Sequence, residues 1–73
     1  MNKHEDVKHR FTYHAPFGEQ PQKYSTIRAN GLAFAEGLVA MCPESRELSL
    51  AITKLEECIF WANAAIARNE KPE

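Results

Sequence analysis

Three kinds of side chain gather between positions 13 and 30: an aromatic ring at Tyr13, cations at Lys23 and Arg28, and small polar groups at Ser25, Thr26 and Asn30. Together they suit a small anion with a flat face. An aromatic ring on stiff backbone can stack on a nucleobase, which contributes about 1–3 kcal/mol per base. Tyr13 meets that condition, because it stands just before Pro16 in the stretch FTYHAPFGEQPQKY, which carries two prolines and a glycine. Lys23 falls near the start of an expected helix, where the macrodipole favours anions, so its charge is misplaced unless something anionic compensates it. Free N–H groups at a helix start also hold phosphate. Arg28 follows on the same helix, at the margin of an apolar face next to Ile27. Thr26 and Asn30 are four apart and share a face. Each side chain has a plainer use as well: a solvated cation at Lys23 or Arg28, and at Phe11 and Phe17 apolar plugs that anchor the arm.

The chain offers binding groups and no catalytic constellation. Ser25, Ser45 and Ser49 fall in helical pattern, with no strand-to-helix elbow around them. Glu57 precedes Cys58 and Glu56 precedes Glu57, but adjacent helical residues point about 100° apart and do not face one another. There is no phosphate-cradling glycine loop. His4, His9 and His14 are five apart, which is not the spacing that sets two imidazoles on one helix face, and no CxxC is present. The expectation is therefore no enzyme, no metal and no cofactor.

The elements that must position these groups read as all-α. Residues 1–20 form an N-terminal arm, in which Asn2 can cap a short helix. Tyr13 to Pro16 should leave the α region because the residue before a proline is pushed out of it. Gly18 can supply a turn with positive φ. A helix over 21–42 begins at Pro21, with Tyr24, Ile27, Gly31, Phe34 or Ala35, Leu38 and Cys42 along one face. Gly31 and Gly37 weaken it: either another backbone approaches closely there, or they are uncompensated weak spots that kink the helix. A second helix over 43–69 opens with Pro43 at its first position. It carries Leu48, Ala51 or Ile52, Leu55, Cys58 or Ile59, Ala62, and Ala65 or Ile66 as its main stripe. Asn69 should close it in the left-handed conformation, leaving 70–73 as a tail. So short a connection makes the two helices an antiparallel hairpin.

Seventy-three residues make a single domain, 1–73, too small to gain much from one core. Cys42 and Cys58 read as small hydrophobes inside helical pattern, so disulfides are not the missing support. Leu50, Phe60, Trp61 and Ala64 lie off the main stripe, so the apolar surface is wider than one partner helix covers. A homo-oligomer is the expected answer. Residues 1–28 carry a balance of +2 and residues 29–73 one of −3, too mild for a DNA or RNA polymer. No segment is apolar enough for a membrane span, and the start MNKHEDVKHR lacks a signal-peptide core.

The segments FTYHAPFGEQPQKYSTIRANG and CPESRELSLAITKLEECIFWANAAIARNE resemble the small phage sponge proteins that counter the cyclic-oligonucleotide immune system called CBASS. The likeness covers about residues 10–70 and rests most on F-T-Y-H-x-P, Q-P-x-x-Y-x-x-I-R and W-A-N-A-A-I-A-R-N. It implies a compact homohexamer of antiparallel helices in the host cytoplasm. Such an assembly binds cyclic dinucleotides such as cyclic GMP-AMP between pairs of subunits, does not cleave them, and so withholds the signal from the host effector. In the dinucleotide site the resemblance implies Tyr13 as the stacking ring and Arg28 as the phosphate contact; His14 and Lys23 are the further candidates for that site. Some members also hold cyclic trinucleotides near the three-fold axes. Arg68 and Asn30 are the residues implied there, Asn30 departing from the pattern if relatives carry a hydroxyl. The other reading is a helical oligomeric protein-interaction module with no nucleotide ligand.

Overall fold

Asn2 opens the first helix. Its Oδ1 accepts a hydrogen bond from the Glu5 N–H at 2.9 Å, which satisfies one of the orphan donors of a helix start. The computed structural model, which describes residues 2–71, gives this helix, α1, as Lys3–Arg10. Glu5 and Asp6 occupy its first turn and Lys8, His9 and Arg10 its last, the distribution the macrodipole favours.

From Phe11 to Glu19 the backbone forms turns and irregular structure, ending in a turn at Gly18, whose φ is +56°. Glycine adopts that left-handed conformation without steric cost. Phe11 does not anchor this arm as expected, because its ring is 85% exposed; Phe17 is half-buried. Polar bonds hold the arm instead. The Phe11 N–H donates to the Val7 carbonyl at 3.1 Å, the Thr12 hydroxyl donates to the Lys8 carbonyl, and His14 Nε2 lies 3.1 Å from the His9 carbonyl oxygen.

Helix α2 spans Gln20–Met41, and α3 spans Arg46–Asn69. The first begins one residue before Pro21. The second begins three residues after Pro43, which corrects the expectation that Pro43 occupies its first position. Ser45 is the N-cap: its extended backbone lets Oγ accept from the Leu48 N–H at 3.1 Å, a contact proline cannot supply. Cys42 likewise lies outside the helix, as the extended C-cap of α2. At the far end Asn69 does not turn left-handed. It remains helical, its side-chain amide donates to the Ala65 carbonyl at 3.1 Å, and Glu70 is the extended C-cap.

The connection of Cys42 to Ser45 folds α3 back along α2, and this is the one extensive helix–helix contact among the described residues. Half-buried residues pick out the contact stripe: Tyr24, Ile27, Gly31, Ala35 and Leu38 on α2, and Leu48, Leu55, Ile59, Ala62 and Ile66 on α3. The open choices in the stripes thus fall to Ala35, Ile59 and Ile66. Gly31 sits against α3. A Cβ built there would lie 2.9 Å from Ile59 Cδ1 and 3.1 Å from its Cγ1. The close approach is real, but to a side chain rather than to backbone. Gly37 has nothing within 4 Å of such a Cβ.

One residue among those described is fully buried, and it is polar: Gln20, 1% exposed. No hydrophobic side chain reaches that state. Phe34, Phe60, Trp61 and Met41 remain 61%, 61%, 67% and 77% exposed. The chain's accessible surface is 6133 Å². A compact monomer of this mass would expose about 4,600 Å². Its radius of gyration is 15.7 Å, against about 11 Å for a compact chain of this length. The fold is an all-helical hairpin with an appended arm, and it has no closed core of its own.

Candidate ligand-binding site

The arm presents Tyr13 outward. Its ring is 83% exposed, although the backbone on both sides is tied down. Before it, Thr12 is bonded to Lys8; after it, His14 is bonded to His9, and the two imidazoles meet edge to face with centroids 5.0 Å apart. Three residues further on, Phe17 and Gln20 exchange two hydrogen bonds: the Gln20 N–H donates to the Phe17 carbonyl at 3.0 Å, and the Phe17 N–H donates to Gln20 Oε1 at 3.1 Å. An exposed ring on a fixed backbone can stack with little ordering cost.

An anion beside Lys23 comes from the chain itself. Lys23 Nζ donates to Glu70 Oε2, joining the first turn of α2 to the C-cap of α3. That hydrogen bond raises the Lys23 ammonium above its ordinary pKa and holds the Glu70 carboxyl below its own. Partial desolvation opposes both shifts, and the Gln20 side chain adds to the lowering at Glu70. Lys23 lines an open cleft of about 390 Å³ with Glu19, Gln22, Thr26, Ile27 and Ile66.

Arg28 lies elsewhere. Five residues on, it has turned about 140° round α2. It borders a second, apolar groove of about 420 Å³ that includes Gly31, Leu32, Ala35, Leu55, Glu56 and Phe60. Its guanidinium is exposed and donates to Ser25 Oγ at 3.4 Å. The single chain therefore does not gather the cations expected to act together: Lys23 and Arg28 border different recesses, and Tyr13 lines neither. Asn30 is exposed on α2, and Arg68 is half-buried in the last turn of α3. Thr26 reaches the Lys23 cleft while Asn30 does not line it.

Two residues escaped the sequence reading, Gln20 and Glu70. Glu70 counted only toward the acidic balance of the second half, yet an unmatched cation at Lys23 was a signal that some carboxylate must reach it. Gln20 gave no such signal, since a glutamine before a proline is ordinary at a helix start.

No helix among the described residues is long and apolar enough to cross a membrane. The family model described as "Acb2/Tad1, hairpin domain" matches residues 3–67, which takes in α1, the arm, α2 and nearly all of α3. Neither a curated protein nor a solved structure matches the chain. That family is one of anti-CBASS sponges, binding proteins rather than enzymes, known for sequestering cyclic nucleotides. With its all-helical hairpin and a family match across almost its whole length, the chain belongs to the Acb2/Tad1 hairpin family of anti-CBASS sponges.

Proposed function

We propose that this protein sequesters cyclic dinucleotides, without cleaving them, in sites that two subunits complete. One observation carries the reading beyond family membership: Tyr13 is 83% exposed on backbone pinned at both ends. A ring held open on such a backbone suits stacking on a flat ligand. Tyr13 stacks on a purine, and Arg28 of the adjoining subunit neutralises a phosphate with its planar, bidentate fork. Two-fold symmetry between subunits then matches the near two-fold symmetry of a cyclic dinucleotide. His14 and Lys23 complete the set of ligand contacts in this reading, with His9 and Glu70 as their partners within the chain.

Self-association is part of the proposal, because the surface excess supports it. The chain exposes about 1,500 Å² more than a compact monomer of its mass. One partner in a standard interface buries about 800 Å². The excess is enough for two neighbours per chain, as a closed assembly such as a hexamer provides. Such an assembly acts in the host cytoplasm by holding the signal stoichiometrically, so slow release matters more than turnover. Cyclic trinucleotides in a second site formed by Arg68 and Asn30 are the further extension of this reading.

Calorimetric titration with cyclic dinucleotides, followed by recovery of the nucleotide, tests it. Heat of binding with the intact cyclic compound recovered is the expected result. Absence of binding removes the sponge function and leaves a protein-interaction module, whereas recovered linear product makes the protein a hydrolase.

A further inference from the structure

Gln20 is the least exposed residue described in the chain, and nothing in the dinucleotide site as proposed uses it. Its side chain makes two bonds that no other residue type of its size can make together. Oε1 accepts the Phe17 N–H at 3.1 Å, and Nε2 donates to the Ile66 carbonyl at 3.4 Å. The first closes the turn at Gly18. The second reaches across to α3, forty-six positions away, and the same side chain lies against the Glu70 carboxyl at the C-cap of α3, whose pKa it helps to lower. The Ile66 carbonyl is already the acceptor for the C-cap N–H of Glu70 at 3.1 Å, so the link lands on the last turn of α3.

We propose that Gln20 is a positioning residue: a clasp that fixes the arm to the hairpin and thereby sets the place of the Tyr13 ring. The inference rests on the dinucleotide reading for its consequence, but its structural content stands without ligand. Only three residues, His14, Ala15 and Pro16, separate Phe17 from Tyr13, and the proline stiffens that segment. α1 makes no extensive contact with α2 or α3, so the arm cannot be located from that side. Without the clasp, the Gln20 N–H to the Phe17 carbonyl is the one bond left across the turn among the described residues, and α1 and the arm gain freedom to swing together about Gly18. Glutamate in place of Gln20 keeps the acceptor for Phe17, loses the donor to Ile66 and sets a second carboxylate beside Glu70, so this variant is read below the ordinary carboxylate range as well as at neutral pH. Methionine keeps the length and loses both.

The test compares Gln20→Met and Gln20→Glu with the natural protein, by amide exchange and backbone order parameters and by titration with cyclic GMP-AMP. In Gln20→Met the Phe17 amide is expected to exchange about tenfold faster, as befits loss of a buried acceptor. The Tyr13 order parameter should fall from about 0.85 to below about 0.6. Dinucleotide affinity should weaken while helix content and elution volume stay unchanged. Gln20→Glu should recover the Phe17 protection. Unchanged exchange and order in Gln20→Met overturn the clasp. So does loss of helix and assembly in both variants, which would make Gln20 a folding residue. If the natural protein binds no cyclic dinucleotide, the proposed function fails by itself, and the exchange and order measurements still decide the clasp.

Discussion

Lys23 and Glu70 form an ion pair in which each charge opposes the helix end it sits on. Lys23 stands in the first turn of α2, where the macrodipole is positive, and Glu70 caps α3, where it is negative. The pair compensates two misplaced charges at once. Exchanging them, Lys23→Glu with Glu70→Lys, keeps the pairing and aligns both charges with the dipoles. The double variant is expected to melt at or above the natural temperature, and each single variant below it. The double variant also separates pairing from ligand contact: dinucleotide affinity is retained if Lys23 serves only Glu70, and lost if Lys23 meets phosphate.

The same pair defines a pH window. The Glu70 carboxyl is held below its ordinary value of 4.5, so its contribution is complete above that value and is lost as pH falls through the folded-state pKa. The Lys23 ammonium is raised above 10.5, so its contribution is complete below that value and is lost as pH rises through the folded-state pKa. Stability from this pair is therefore flat between the two ordinary values. Replacing Glu70 by Gln should flatten the acid limb of the denaturation midpoint against pH. An acid limb identical to that of the natural protein would show that the pair is not formed in solution.

Gly31 and Gly37 lie on one helix and should respond oppositely to alanine. Alanine gains up to about 1 kcal/mol over glycine in a helix interior. Gly37→Ala meets nothing within 4 Å in the chain and should keep that gain. Gly31→Ala drives a methyl to 2.9 Å from Ile59 Cδ1 and should forfeit it. Ile59→Val removes that δ-methyl, so the double variant Gly31→Ala with Ile59→Val should be more stable than the sum of its parts. Thermal unfolding measures both, and a loss at Gly37 would mark it as a surface that a neighbouring chain covers.

The hairpin was readable because period and punctuation agreed. Apolar residues stepping by three and four give both helices, and two prolines mark where they cannot continue. The helix start at Ser45 was misread because Pro43 carries a strong signal of its own, while a serine cap shows itself only through the Leu48 N–H it binds. Phe11 was misread by another route: composition calls a phenylalanine buried, but a chain this small has no interior to offer. The candidate site was legible as residue types and not as geometry. Tyr13 lines neither recess while Arg28 borders the apolar groove, and helical spacing alone already sets Lys23 and Arg28 on different sides of α2.

Tyr13→Ala should weaken cyclic dinucleotide binding by the stacking contribution of about 1–3 kcal/mol for each base covered. Tyr13→Phe should keep most of the affinity, since a ring without its hydroxyl still stacks. Arg28→Ala should weaken binding further and reduce its salt dependence, because a phosphate partner is gone. Elution volume should stay constant in all three. A variant that elutes as a monomer would reassign that residue to assembly.

The proposed second site, at Arg68 and Asn30, predicts a different ligand dependence. Arg68 is half-buried where α3 ends, and Asn30 is exposed on α2, outside the recesses that Lys23 and Arg28 border. Arg68→Ala is expected to lower cyclic trinucleotide affinity and leave dinucleotide affinity unchanged. Asn30→Ala should do the same more weakly, as a neutral hydrogen bond is lost rather than a charge-assisted one. Equal loss of both ligands in Arg68→Ala would mean one shared site.

Trp61 reports on the largest expectation, that the hairpin exists only as part of an assembly. It is the single tryptophan of the chain, and in the isolated protomer it is 67% exposed. With Phe60 beside it and Phe34 and Met41 similarly open on α2, an isolated chain would present apolar surface that water does not tolerate in a stable fold. Assembly should therefore shift Trp61 emission to the blue, and the melting temperature should rise with protein concentration, as mass action requires when folding and association are linked. Dilution should red-shift the emission and lower helix content together. A melting temperature independent of concentration, with a sedimentation coefficient of a single chain, would leave the protomer stable by itself and remove the two-subunit site along with it.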